Sequence, residues 1–154
     1  MFGFGKKKIT IAAPIAGRLM DITDVKDEVF SSKMMGDGFA VEPEGGMIVA
    51  PCDGKIMLLA NTLHAVALEH EGIELLIHIG LDTVELGGKG FTAEVSTGDT
   101  VKKGDALIRF DPDYLTAQQK PLTTMLVITN MEEKVKSLEK DFRDQDKVMT
   151  IQVK

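Results

Sequence analysis

Thr62-Leu63-His64-Ala65-Val66-Ala67-Leu68-Glu69, then His70-Glu71-Gly72, then Ile73-Glu74-Leu75-Leu76-Ile77-His78-Ile79-Gly80 reads as two strands joined by a tight turn. Both runs have strand length and composition, and the link ends in glycine, the residue that reaches a left-handed conformation at least cost. A three-residue loop with its left-handed residue last sets Glu69 across from Ile73. That register places His64 directly opposite His78. Opposed side chains in an antiparallel pair have Cβ atoms about 4.5–5.5 Å apart, close enough for two imidazoles to share one small ligand. Alternation then gives His78 the company of Glu74, Leu76 and Gly80, and His64 that of Thr62, Val66 and Leu68. Gly80 removes a side chain where a ligand would approach, and His70 falls in the turn.

Outward from this hairpin, fifteen glycines and five prolines cut the chain into short apolar pieces. Strands are expected at Ile9 to Ala12, Gly17 to Ile22, Phe39 to Glu42, Met47 to Val49 and Gly54 to Leu59. Others are expected at Phe91 to Glu94, Ala106 to Asp111, Met125 to Thr129 and Val148 to Val153. Many short strands at this spacing predict an all-β fold, an antiparallel sandwich or barrel, with one or two short helices. One helix is expected over Asp113 to Gln119. Asn130 is a suitable N-cap for a second over Met131 to Leu138, with Glu133 at capping-box distance. Ala13-Pro14-Ile15-Ala16-Gly17-Arg18-Leu19 recurs as Ala50-Pro51-Cys52-Asp53-Gly54-Lys55-Ile56. Met35-Gly36-Asp37 and Lys103-Gly104-Asp105 each lead a Gly-Asp turn into an apolar strand. Two such recurrences fit a duplicated β motif closing on itself.

Length and composition bound the function. The 154 residues suit one domain, and 44% hydrophobic content can form a core without disulfides or metal. A net charge of −6 with one Tyr and no Trp lacks the basic stripe and stacking aromatics of a nucleic-acid binder. The single cysteine, Cys52, excludes an internal disulfide and is expected to be structural. No apolar run approaches the roughly 18 residues of a membrane span.

A lone histidine in an apolar strand is commonly a hydrogen-bonded core residue. Two opposed on a hairpin suggest chemistry. A neutral imidazole near pH 7 is a competent nucleophile, and a second beside it can hydrogen-bond a transferring oxyanion. The pair suits phosphoryl transfer through a phosphohistidine. Zinc is the main rival, but the chain has no His-x-His, no His-Glu-x-x-His and no cysteine partner for a site. It also has no Gly-x-x-x-x-Gly-Lys-[Ser/Thr] loop to hold a nucleotide donor. No cofactor or metal is expected.

Several separated segments, in order, resemble the glucose-type IIA proteins of the bacterial phosphoenolpyruvate-dependent sugar phosphotransferase system. They are Ala13-Pro14-x-x-Gly17, Asp24-Val25-x-Asp27-x-Val29-Phe30, Met35-Gly36-Asp37-Gly38, Val49-Ala50-Pro51-x-Asp53-Gly54, His64-Ala65, Leu75 to Leu86, Gly90-Phe91, Gly98 to Asp105 and Val127 to Met131. The resemblance implies a sandwich-like duplicated hybrid motif over residues 9–154. It implies that His78 accepts a phosphoryl group from phospho-HPr and passes it to a cysteine of a sugar-specific IIB domain, supporting sugar uptake. His64 matches the histidine needed for onward transfer, Thr62 the threonine beside the pair, and Gly80 the glycine after the nucleophile. Asp27 and Asp82 match acids flanking the site, with Glu85 close by. Val29, Phe30, Met34, Met35, Leu76 and Val84 fall on the family's apolar partner face, and Phe30 is expected to be exposed there. One patch serving two unrelated partners benefits from adaptable Met and Phe side chains.

The alternatives are a zinc-binding module and a non-catalytic carrier domain of the biotinyl or lipoyl type, the latter suggested by Gly98 to Asp105. Residues 1–8 are expected to form a flexible start, with Phe2, Phe4, Lys6, Lys7 and Lys8 able to make only weak interfacial contact with a membrane. A cytoplasmic, freestanding protein that visits the membrane only through its permease is expected. The sugar is not legible, since a IIA protein never touches it.

Overall fold

A computed structural model describes residues 7–154. In chain order the strands are β1 (Lys8–Ile11), β2 (Gly17–Asp21), β3 (Asp37–Pro43), β4 (Met47–Val49), β5 (Gly54–Leu59), β6 (Ala65–His70) and β7 (Ile73–Ile79). They continue as β8 (Phe91–Ala93), β9 (Thr100–Val101), β10 (Ala106–Phe110), β11 (Thr124–Ile128), β12 (Val135–Lys140) and β13 (Met149–Val153). Three short helices accompany them: α1 (Glu28–Ser31), α2 (Pro112–Ala117) and α3 (Met131–Lys134). The fold is therefore the expected antiparallel sandwich, with no closed barrel and with three short helices. Residues 1–6 of the expected flexible start lie outside the described residues. Lys8 already opens β1, and the Lys7 carbonyl accepts from Val153 N.

Seven strands form one sheet in the order β2-β3-β11-β7-β6-β5-β9, and two three-stranded sheets, β1-β13-β12 and β4-β10-β8, accompany it. These orders mirror one another about the β11–β7 pair. One half, β4 to β10, is contiguous; the other is built from β1–β3 and β11–β13, with the first inserted between. The Ala-Pro repeat sits at the crossing of the halves. Ala12 N donates to Pro51 O (3.0 Å) and Val49 N to Pro14 O (2.8 Å), two bonds that exchange under the duplication. Ala13 N to Gln145 O and Ala50 N to Asp105 O form a second such pair, both 2.8 Å. Gly17 and Gly54 open the equivalent strands β2 and β5, and a Cβ at either would lie 2.1 Å from Glu42 O or 2.6 Å from Glu69 O. The Gly-Asp recurrence is not part of the duplication: Asp37 opens β3, whose counterpart is β6, and Asp105 leads into β10, whose counterpart is β13.

Alternation decides which faces meet. On β7, Ile73, Leu75, Ile77 and Ile79 are fully buried in the main core, while Glu74, Leu76 and His78 share the other, half-buried face. The segment 22–36 folds over that second face. It contributes Ile22, Val25 and Phe30 to a smaller core with Ala40, Leu81, Met125 and Val127. β11 is consequently buried on both faces.

The hairpin register differs from the expected one by a residue. Glu71 (φ 52°) and Gly72 (φ 84°) are both left-handed, so the loop has two residues, as in the primed turns that match strand twist, and His70 pairs with Ile73. His78 therefore faces Ala65 in the ladder, not His64. A slip of one residue exchanges faces. Val66 and Leu68 accordingly belong to the main core, and His70 ends β6 instead of sitting in the turn. The C-terminal helix is also corrected. Only Met131–Lys134 is helical; Val135–Lys140 is β12, paired with β13 through a bulge after Val135. The Asn130 side chain does not cap α3. It ties the hairpin instead, accepting from Glu74 N (3.0 Å) and donating to Gly72 O (2.8 Å). Asn130→Ala should lower stability by about 1–3 kcal/mol in urea unfolding, with hydrogen exchange rising first at the 70–74 turn.

Candidate active site

His78 lies on β7 and His64 just before β6, at the end of a turn in which Leu63 is left-handed (φ 59°). That turn breaks the pleat, so His64 joins the His78 face although it stands outside the ladder. Ile79 N still donates to His64 O (2.8 Å), and the ladder partner Ala65 leaves room with its single methyl. The two rings lie 4.9 Å apart at 80°, edge to face. The sequence pair is thus brought together, but by a turn and not by direct opposition.

Each ring has one nitrogen engaged. His78 Nδ1 is 2.9 Å from Gly80 O. A carbonyl only accepts, so Nδ1 carries the proton and Nε2 keeps its lone pair. His64 Nδ1 is 2.6 Å from Thr62 Oγ1. With the hydroxyl donating, His64 holds its proton on Nε2 and becomes a hydrogen-bond donor. Thr62 therefore orients His64. Gly80 is buried at φ 75°, and a Cβ there would lie 2.5 Å from Thr83 Cγ2 and 2.9 Å from Pro121 O. Its role is to aim a carbonyl; it does not clear space for an approaching ligand.

Burial drives the electrostatics. It pushes the His78 imidazolium down to about 4, helped by the neighbouring His64; the Gly80 carbonyl and the charges of Asp27 and Asp82 oppose it less strongly. Burial also lowers His64. Both rings are neutral at pH 7. Cys52 is buried, and desolvation with nearby Asp53 pushes its thiol up to about 12. It has no thiolate to compete as a nucleophile.

The remaining expected residues form a ring that is only partly continuous. Asp27 caps α1 through Val29 N (3.0 Å) and turns its charge toward His78. Val29 is exposed beside it. Phe30, expected to be exposed, is buried; its ring meets His78 edge-on at 5.1 Å. A helix of four residues carries no periodicity by which its inward side could be read. Asp82 (φ 59°) precedes a 3-10 turn, Thr83–Leu86, on which Val84 and Glu85 are exposed while Thr83 is buried, and Glu85 is paired with Lys120. Leu76 is half-buried two residues before His78. Met34 and Met35 are exposed but line a separate recess of about 460 Å³ with Ile128, Thr129 and Met131. Ile128 is three residues along β11 from Met125, the ladder partner of His78, or roughly 10 Å at strand spacing. Leu58 was missed: it is 61% exposed and continues the row Leu58–Ala67–Leu76 across the His78 face. Its pairing through a β-bulge put it out of reach of simple alternation. Among the described residues no group of three His, Cys, Asp or Glu could hold a metal ion, and no helix is long and apolar enough to cross a membrane.

His78 has a folded pKa below its ordinary 6.5, so between pH 4 and 6.5 the unfolded chain holds more protons. Stability should climb with pH across that window by up to roughly 3 kcal/mol. Urea midpoints measured against pH should show the slope, and His78→Gln should flatten it. Gly80→Ala should cost on the order of 1–3 kcal/mol and, by displacing the carbonyl that favours the imidazolium, lower the His78 titration midpoint seen by NMR.

Residues 9–134 match the family described as phosphoenolpyruvate-dependent sugar phosphotransferase system, EIIA 1. The chain is 47% identical over 137 residues to a glucose-specific EIIA component of Staphylococcus epidermidis, covering 86% of this chain and 82% of that one. It is 46% identical over 138 residues to a glucose-specific EIICBA component of Staphylococcus saprophyticus, covering 89% of this chain and 20% of that longer protein. Among solved structures, the glucose permease IIA of Mycoplasma capricolum superposes with a TM-score of 0.84 at 32% identity, over 97% of this chain and 99% of that one. With an imidazole pair at its centre and these relatives around it, the chain belongs to the EIIA family of the phosphoenolpyruvate-dependent sugar phosphotransferase system.

Proposed function

We propose that His78 accepts a phosphoryl group on Nε2 from phospho-HPr and hands it to a cysteine of a sugar-specific IIB domain. The observation that carries the reading is the free Nε2 of a neutral His78, left available because Nδ1 is engaged by Gly80 O. Its lone pair attacks phosphorus in line while the donor's N–P bond breaks. Onward transfer reverses the roles: the acceptor thiolate attacks phosphorus, and the electron pair returns to Nε2. His64, set as a donor by Thr62, offers its Nε2–H to the phosphoryl oxygens as charge concentrates there. No metal or nucleotide takes part.

The surroundings support a two-partner site. Val29, Leu76 and Val84 give an apolar rim, Phe30 walls the nucleophile, and Asp27 and Asp82 place negative charge at the edge. Rim carboxylates steer a basic donor without committing the patch to one shape. Met34 and Met35 extend the contact face toward their own recess, and Glu85 contributes less because Lys120 already pairs with it. The work is proposed for the cytoplasmic side, with membrane contact only through the permease.

Mixing the chain with phosphoenolpyruvate, enzyme I and HPr should add one acid-labile, base-stable phosphate, read by mass spectrometry. His78→Ala should take up none; uptake by that variant refutes the assignment. His64→Ala should still be phosphorylated but should slow transfer to a IIB domain on the order of 10²-fold. Asp82→Asn should weaken the salt dependence of the HPr reaction, and an unchanged slope removes that residue from the docking rim.

A further inference from the structure

Beyond the histidines, one lysine closes a loop that the site depends on. The chain leaves β2 after Asp21 and re-enters the sheet at Asp37, the first residue of β3, which pairs with Ile128 of β11. Between them, residues 22–36 carry Asp27, Val29 and Phe30, the wall against which His78 packs. Among the described residues, the backbone–backbone bonds of this segment stay inside it: Val25 to Ile22, Phe30 and Ser31 to Asp27, Ser32 to Glu28, Lys33 to Phe30 and Gly36 to Lys33. Its anchorage to the sheet is the burial of Ile22, Val25 and Phe30. Ordering so long a segment costs more than burying three apolar side chains returns.

The missing hold comes from the other end of the chain. Lys140, on β12, places Nζ 2.5 Å from Asp21 Oδ1 and 2.7 Å from Asp37 Oδ1, with its side chain only 16% exposed. Both carboxylates pass the contact on to backbone. Asp21 Oδ2 accepts from Thr23 N (3.2 Å) and Thr23 Oγ1 (2.5 Å), and Asp37 Oδ1 accepts from Gly38 N (2.8 Å). Lys33, inside the segment, adds an ion pair to Asp37 Oδ2 at 3.6 Å. Burial pushes the Asp21 carboxyl up, but the bonds from Lys140 and Thr23 outweigh it and hold it near 2. Without the ammonium, two half-buried carboxylates would face each other at the neck of the segment and repel.

We propose that Lys140 is a positioning residue for phosphoryl transfer: by drawing Asp21 and Asp37 together it clasps both ends of the segment that holds Phe30 against His78. Its effect on transfer rests on the function proposed above; the clasp itself does not. The test uses the full chain with Lys140→Met, which keeps the stem and removes the charge, and Lys140→Arg, whose fork can bridge two carboxylates. In Lys140→Met, hydrogen exchange over 22–36 should rise at least tenfold while β7 and β11 keep their protection. The His78 titration midpoint should move at least one pH unit toward its ordinary value as Phe30 departs. Phosphorylation by HPr should lose at least tenfold in kcat/KM, and Lys140→Arg should restore all three. Wild-type exchange and titration in Lys140→Met overturn the proposal, as does loss of protection spread evenly over the sheet. Should Lys140→Met not fold, Asp21→Asn, which releases one end only, must raise exchange over 22–36 and shift His78 in the same direction. An unchanged result there also overturns the clasp. A wild-type chain that takes no phosphate from HPr refutes the proposed function, while exchange and titration still decide the clasp.

Discussion

One hydrogen bond, from His78 Nδ1 to the Gly80 carbonyl, determines which face of the imidazole is chemically open. Much of the surrounding structure maintains it. Gly80 holds a left-handed conformation that a side chain could not occupy beside Thr83 and Pro121. Thr83 Oγ1 in turn donates to Ile79 O at 2.5 Å, closing the turn under His78. The ring is then wedged between the edge of Phe30 and the edge of His64, which desolvates it and keeps it uncharged. Orientation and neutrality therefore have separate causes: the first is a backbone carbonyl, the second is packing.

The duplicated framework explains where this site sits. β7 and β11 meet at the centre of the large sheet, one from each half, with His78 across from Met125. A central strand pair gives the most rigid backbone available, and the covering segment 22–36 supplies a wall on one flank only. The other flank, through Ala67 and Leu58, stays open. A rigid base with one wall and one open side suits the docking of partner proteins proposed for this site.

How much of this was legible depended on whether the signal was local. The all-β architecture, the Ala-Pro duplication and the meeting of His64, His78 and Gly80 at one place could be read because glycines, strand lengths and spaced motifs carry them. The register could not, since it turned on Glu71 adopting a left-handed φ, which a glutamate does not advertise. β12 passed for helix because its bulge after Val135 destroys alternation in a charged stretch. Phe30 looked like surface because its covering helix is a single turn. Met34 and Met35 join the histidines by resemblance; they are exposed in the turn after α1, where they line a recess with Ile128 and Met131. Lys140 left no trace at all, because its partners are distant in sequence and an ion pair has no periodicity.

The interleaving of the two halves has a further consequence for how the molecule is made. β1 must wait for β13, and β2 and β3, which pair with each other, join the large sheet only once β11 has been made. The inserted half, by contrast, can collapse on itself while translation continues. Until β11 is released, β7 is a bare hydrophobic edge, and the nascent chain carries the future His78 strand as a sticky margin.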